Sequence, residues 1–289
     1  MVAITAPTSG RAPRRLRPGA SRYLQALRTP RGAAATLLIV LLTATALLAP
    51  VIFPQGYDEQ SADAFQGFSA RHLFGTDEVG RDILNRSVYG LRTDLILVFI
   101  AVPVTMVIGT LLGLLGFVAG WLGSGVQRVL DIIVGFPGLI LGISIVLVLG
   151  TGATTILVAV IILGLPIFGR LARSALLSQQ QREYVLAART LGVSRWKIMI
   201  RHILPNAVDP IIVAGSVFVV QTIFFEASLS IVGLGIQPPE PSLGALLNTG
   251  MRYITHSPTY VIGPIVILLL LAFGFSLLTD ALNETVNRK

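Results

Sequence analysis

Few residues in this 289-residue chain are placed to do covalent chemistry. There is no cysteine, so no disulfide, thiolate metal site or cysteine nucleophile can form. The three histidines, His72, His202 and His256, are scattered and form no ligand pair at metal spacing. Lys197 and Lys289 are the two lysines, and no G-x-x-x-x-G-K-[ST] phosphate loop occurs, so the chain is not itself a Walker-type ATPase. What stands out instead is a basic, amphipathic stretch at 182–206 set between long apolar runs. Apolar residues recur at Tyr184, Ala187, Ala188 and Leu191, and again at Trp196, Met199, Ile200 and Ile203. Both sets follow the i, i+3, i+4, i+7 rhythm of one helix face. Gly192 is placed to stop the first helix in the left-handed conformation, Ser194 to cap the second, and Pro205 to open the next long helix. Two short helices hinged at a glycine, with cations at Arg189, Arg195 and Lys197, suit the docking of a partner rather than catalysis.

The elements around this island are membrane helices. The chain is 53% hydrophobic and 12% charged, with a mean hydropathy of +0.78, against about 25% charge in an ordinary soluble domain. Apolar segments of roughly 20 residues are long enough to cross a hydrocarbon core about 30 Å thick. They are read at 32–54, 95–119, 130–149, 154–170, 207–226 and 259–281. The first exceeds the 7–15 residues of a signal-peptide core and is read as a spanning helix. Gly109-x-x-x-Gly113 and Gly116-x-x-x-Gly120 in the second allow close helix approach. Residues 1–31 hold seven arginines and no acid, and read as a disordered cytosolic tail. Segment 55–94 is net −3 and is assigned, with 227–258, to the outer side. With both termini inside, 17 of the 22 basic residues fall on cytosolic segments, as the positive-inside rule requires. The net +8 thus reports orientation in a lipid bilayer and calls for no nucleic-acid partner.

The island then acquires a family likeness. The cytosolic loop of bacterial ABC-importer permeases follows Glu-Ala-Ala, three residues, Gly, nine residues, Ile-x-Leu-Pro. Here Ala187, Ala188, Gly192, Leu204 and Pro205 match, while Leu186 and His202 depart from it. Glu183 in Glu-Tyr-Val-x-Ala-Ala-Arg resembles the variant of the dipeptide/oligopeptide subfamily. Phe74-Gly-Thr-Asp-Glu-Val-Gly-Arg-Asp82 with Tyr89-Gly-Leu-Arg92, and the long segment from Glu226 to Gly244, resemble the second permease subunit of that subfamily.

The resemblance implies an all-α polytopic fold of six transmembrane helices, the type I ABC importer permease, in a bacterial cytoplasmic membrane. It implies a second homologous permease, two cytosolic ABC ATPase subunits that carry ATP and Mg, and an extracytoplasmic substrate-binding protein. This chain would bind no cofactor directly and would form half of a pathway for peptides, nickel and haem being carried by other relatives. Loop 171–206 would receive the ATPase through Glu183, Ala187, Ala188, Arg189, Gly192, Arg195, Trp196, Lys197, Leu204 and Pro205. Asp77, Arg81 and Asp82 are read mainly as an ion-paired motif ordering the outer loop, and Glu226 as an interfacial carboxylate. Contact with the binding protein or a peptide ammonium is the alternative for these four. A secondary transporter is the rival class; it would need an ionisable residue buried within a span, and none is expected.

Overall fold

The computed structural model describes residues 19–118 and 120–286; most of the basic tail, residues 1–18, lies outside them. The described chain is a helical bundle. The peripheral helix α2 (Pro30–Leu47) follows α1 (Gly19–Arg28), and a single turn α3 (Ala49–Ile52) leads into an irregular loop over 53–82. The long helices are α4 (Ile83–Val118), α7 (Ala153–Gln180), α10 (Leu204–Ile231) and α12 (Thr259–Val286). Between them lie α5 (Gly120–Gly135), α6 (Gly138–Leu149), α8 (Glu183–Thr190), α9 (Arg195–Ile198) and α11 (Leu243–Arg252). Among the described residues, five helices are long and apolar enough to cross a membrane, or six if α5 and α6 form one broken span.

Three departures from the sequence expectation have physical causes. First, α1 is helical where a disordered tail was expected: its Ala26 is fully buried, and the helix packs on α2 and α12. Second, the segment expected as one span at 130–149 is bent by 98° between α5 and α6. Pro137 lacks an N–H and disfavours helical geometry at Phe136, so the chain turns there. Third, α4 begins twelve residues before position 95, and α7 runs ten residues past 170. At 1.5 Å per residue the 36 residues of α4 extend about 54 Å, well beyond a 30 Å core. No proline or glycine interrupts Ile83–Tyr89, and Arg86 and Asp94 are almost fully buried.

The core is organised by α4 against α7. Side chains would keep these helices apart at Gly109 and Gly113. A Cβ at Gly109 would lie 2.8 Å from the Phe168 Cβ, and one at Gly113 only 2.2 Å from the Gly169 carbonyl oxygen. Bare glycine surface lets the helices approach closely, which the Gly109-x-x-x-Gly113 spacing predicted. Gly116, from the second such pair, has no described side-chain surroundings. Phe168 of α7 meets Phe218 of α10 edge-on, with centroids 5.4 Å apart, and so ties a third helix into the same core.

At one end of the bundle, α11 is fastened into the angle between α4 and α10. Asp94 Oδ2 of α4 accepts the Leu243 backbone N–H at 3.2 Å, and the Asn248 side-chain amide donates to the Ile231 carbonyl at the end of α10. Glu226 of α10 lies alongside, 2% exposed, with the Ser230 hydroxyl donating to Oε1 at 2.7 Å. Glu226 is therefore not an interfacial carboxylate in water, and the expectation of no buried ionisable residue within a span does not hold. Asp94 and Glu226 share an interior at the N-terminus of α11, whose partial positive charge favours carboxylates. Gly244 makes this seat possible, because a Cβ there would stand 2.7 Å from the Ala227 Cα.

Two outcomes test this packing by unfolding in detergent. Gly113→Ala lowers the midpoint, since overpacking costs about 1–3 kcal/mol, whereas Gly125→Ala, in open space, leaves it unchanged. Asp94→Ala strands the Leu243 N–H and costs about 1–3 kcal/mol, while Asp94→Asn keeps an acceptor and stays within about 1 kcal/mol.

Candidate functional site

The island sits at the opposite end of the bundle and begins with α8. Glu183 lies in its first turn and Arg189 in its last, the order that complements the helix dipole. The helix ends where Gly192 takes φ +73°. Gly192 N–H bonds to the Arg189 carbonyl and Val193 N–H to the Ala188 carbonyl, each at 3.0 Å. These 5→2 and 6→1 bonds form a Schellman motif, which needs a residue without a Cβ penalty at the left-handed position. Val193 then packs into the same core as Ala188, the apolar contact that accompanies the motif.

After this elbow the chain re-enters helix at α9, with Ser194 in the cap position but without the side-chain cap bond expected of it. A π-helical turn, Met199–Ile203, carries α9 directly into α10, with Leu204 as its first residue and Pro205 next. A π turn is rare and usually accompanies a functional position. Arg195–Ile231 is thus one continuous helical rod, from the elbow to the seat of α11.

The apolar periodicity divides differently from the sequence reading. Val185 and Ala188 of α8, and Ile198, Met199 and Ile203 beyond the elbow, face the core. Ala187, Arg189, Arg195 and Lys197 are exposed, and Pro205 is exposed at the start of α10. So are Tyr184, Leu186, Leu191, Trp196 and Ile200, with Leu191 82% exposed. Helices this short bury only the residues three apart that meet the core, so the remaining apolar side chains point outward. The result is an apolar patch with a cationic rim. Leu186 and Leu191 belong to it, and Leu186 is one of the two departures from the family pattern. Exposed apolar surface of this kind marks an interaction site.

Asp77, Arg81 and Asp82 come together at the end of the bundle that carries α11. The fully buried Asp77 accepts from the Val79 and Arg81 backbone N–H groups at 3.0 and 2.9 Å, and from Arg81 Nε at 2.6 Å. Arg81 also reaches Asp58 at 2.9 Å and Glu78 at 3.3 Å. Burial alone would lower the Arg81 pKa, but the hydrogen bonds to Asp77 and Asp58 reverse this, so the guanidinium is held above its ordinary value. Asp82 accepts the Asn85 N–H at 2.8 Å as the cap of α4 and pairs with His72 Nδ1 at 2.7 Å. Tyr260 of α12 donates to Glu78 at 3.2 Å, so the network also grips a distant helix. Each of these bonds orders the loop, in line with the first of the two readings. Glu226 lies apart from them, in the α11 seat. Its neighbour there, Asp94, was missed because Arg86 and Arg92, with Asp94 itself, made the first turns of α4 read as a polar loop.

The helical bundle agrees with what other proteins show. Residues 105–289 match the profile of the binding-protein-dependent transport system inner membrane component family. The chain is 37% identical over 246 residues to the dipeptide transport system permease protein DppC of Alkalihalophilus pseudofirmus, covering 84% of this chain and 81% of that one. It is 38% identical over 268 residues to the glutathione transport system permease protein GsiD of Pectobacterium atrosepticum, covering 91% and 88%. Its fold resembles a chain of the inward-facing MetNI methionine ABC transporter, with a TM-score of 0.57 at 22% identity over 70% of this chain and 97% of that one. A chain of an amino acid ABC transporter gives a TM-score of 0.52 at 20% identity, over 68% and 91%. The chain belongs to the family of binding-protein-dependent transport system inner membrane components.

Proposed function

We propose that this chain is one of the two permease subunits of an ATP-driven importer and forms half of a pathway for peptides. The substrate would be delivered by an extracytoplasmic binding protein, and ATP would be hydrolysed on two separate ATPase subunits. The observation that carries the reading is the rod from α9 through the π turn into α10, which begins at an elbow surrounded by exposed Leu186, Leu191, Trp196 and Ile200. A partner seated on this patch moves α9 as a rigid body, and continuity of the helix passes the displacement to α10. Arg189, Arg195 and Lys197 at the rim suit an acidic partner surface, and charge complementarity of this kind chiefly sets orientation and association rate. The dipeptide and glutathione transport named for the relatives supports a peptide substrate. The sequence resemblance and the excess of basic residues at the island both support a cytosolic island and a multi-pass protein of the bacterial inner membrane with cytosolic termini.

The buried carboxylates Asp94 and Glu226 raise the rival of an ion-coupled transporter. Asp94 accepts from the Leu243 N–H of α11 and Glu226 from Ser230 of its own helix beside α11, which gives both a structural task and favours the ATP-driven reading.

Reconstitution with the partner subunits tests the proposal. Gly192→Val forces a β-branched residue into the left-handed region, where it is a strained outlier. Uptake and substrate-stimulated ATP hydrolysis are expected to fall at least tenfold while membrane insertion persists. Wild-type stimulation in this variant, or gradient-driven uptake without the ATPase subunits, contradicts the proposal.

A further inference from the structure

The base of α10 is held from a second direction. Asp209, one turn into α10, receives two donors from α1: Arg22 Nη1 at 3.1 Å on Oδ2 and Tyr23 Oη at 2.5 Å on Oδ1. Burial, then the hydrogen bond to Asp209, push the Tyr23 pKa up to about 12, so the phenol remains the donor at physiological pH. The helix carrying these donors cannot swing freely. Thr29 accepts from the Gly32 N–H at 3.1 Å and donates to the Ala26 carbonyl at 2.7 Å, fixing the corner between α1 and α2. Gly32 is crowded against that corner, where a Cβ would lie 2.0 Å from the Ala26 carbonyl oxygen. Arg22 and Asp209 are each about 30% exposed, 31% and 30%, so solvent screens the ion pair and it adds little to global stability. Its consequence is positional, because both carboxylate oxygens are occupied at the point where the π turn delivers α9 into α10. The helix α1 also lies outside residues 105–289, which the family profile matches.

We infer that α1 is a strap on the base of α10, with Arg22, Tyr23 and Asp209 as positioning residues that couple movement of the island to the transmembrane rod. The inference rests on the importer reading for its transport readout but not for its structural one. Released from the strap, α10 still moves with α9 but no longer along a defined path, so ATP is spent without transport.

The test uses the full chain assembled with its partner subunits. In Asp209→Asn, and in Arg22→Ala with Tyr23→Phe, hydrolysis without binding protein is expected to rise at least threefold. The KM for ATP stays unchanged, and substrate moved per ATP falls correspondingly. Arg22→Asp with Asp209→Arg re-forms the pair with reversed sign and restores at least half of the wild-type ratio. Because the chain has no cysteine, spin labels at Leu24→Cys and Arg201→Cys report the strap directly. Their distance distribution is expected to broaden in the Asp209→Asn background. An unbroadened distance, or broadening with wild-type hydrolysis and stoichiometry, overturns the inference. A wild-type complex that hydrolyses no ATP contradicts the importer reading instead, and the spin-label distance then decides whether the strap exists. If Asp209→Asn fails to assemble, Tyr23→Phe alone removes one of the two bonds and gives a smaller change of the same sign; no change there also overturns the inference.

Discussion

A bilayer interior offers no water to an unpaired backbone N–H or carbonyl, and the architecture depends on that constraint. Irregular backbone is therefore confined to the ends of the bundle and to the bend at Pro137. At the ends, several helix termini among the described residues are closed by specific devices. The Schellman bonds at Gly192 close α8, and an equivalent pair at Gly233 closes α10, with Leu234 N–H on the Leu229 carbonyl at 2.9 Å. The side chains of Asp82 and Ser242 cap α4 and α11. These turns are well defined because their hydrogen bonds are complete, and a defined turn can hold a docking surface at a fixed angle.

α10 joins the two ends. Its second turn carries Asp209, shortly after the π turn, and its last two turns carry Glu226 and Ser230 beside α11. Phe218, between them, locks against Phe168 of α7 in the glycine-packed core. A displacement at the island thus meets a rod that is guided at its base, packed along its middle and fastened to a small helix at the far end. Pro210 removes one N–H from this rod near the base, where some local bending is easiest.

Much of this was legible in the sequence, and the failures share a cause. The Gly109-x-x-x-Gly113 pair, the left-handed Gly192, and the opening of α10 at Leu204-Pro205 follow from local stereochemistry, which acts over a few residues. Asp94 and Glu226 were misplaced because a charge in a sequence reads as solvent-exposed unless its partners are known. The partner of Asp94, Leu243 of α11, is 149 positions away, and Glu226 is covered by the same helix. Helix α1 was missed because arginines dominate the composition of the tail, while its contacts are with distant residues such as Asp209, 186 positions from Tyr23. The apolar stripes of the island were correctly seen as helical. Which half of each stripe faces inward depends on the neighbouring helices α4 and α7, and periodicity does not contain that information.

The claim on which the account turns is that the outward apolar face at the Gly192 elbow is covered by an ATPase subunit. A single cysteine introduced at Leu191, in a chain that has no other, reads this directly as the rate of maleimide labelling in the membrane. Labelling of the isolated chain is expected to be fast, and at least tenfold slower once the ATPase subunits are added. The same rate with and without those subunits, in a complex shown to be assembled, would contradict it.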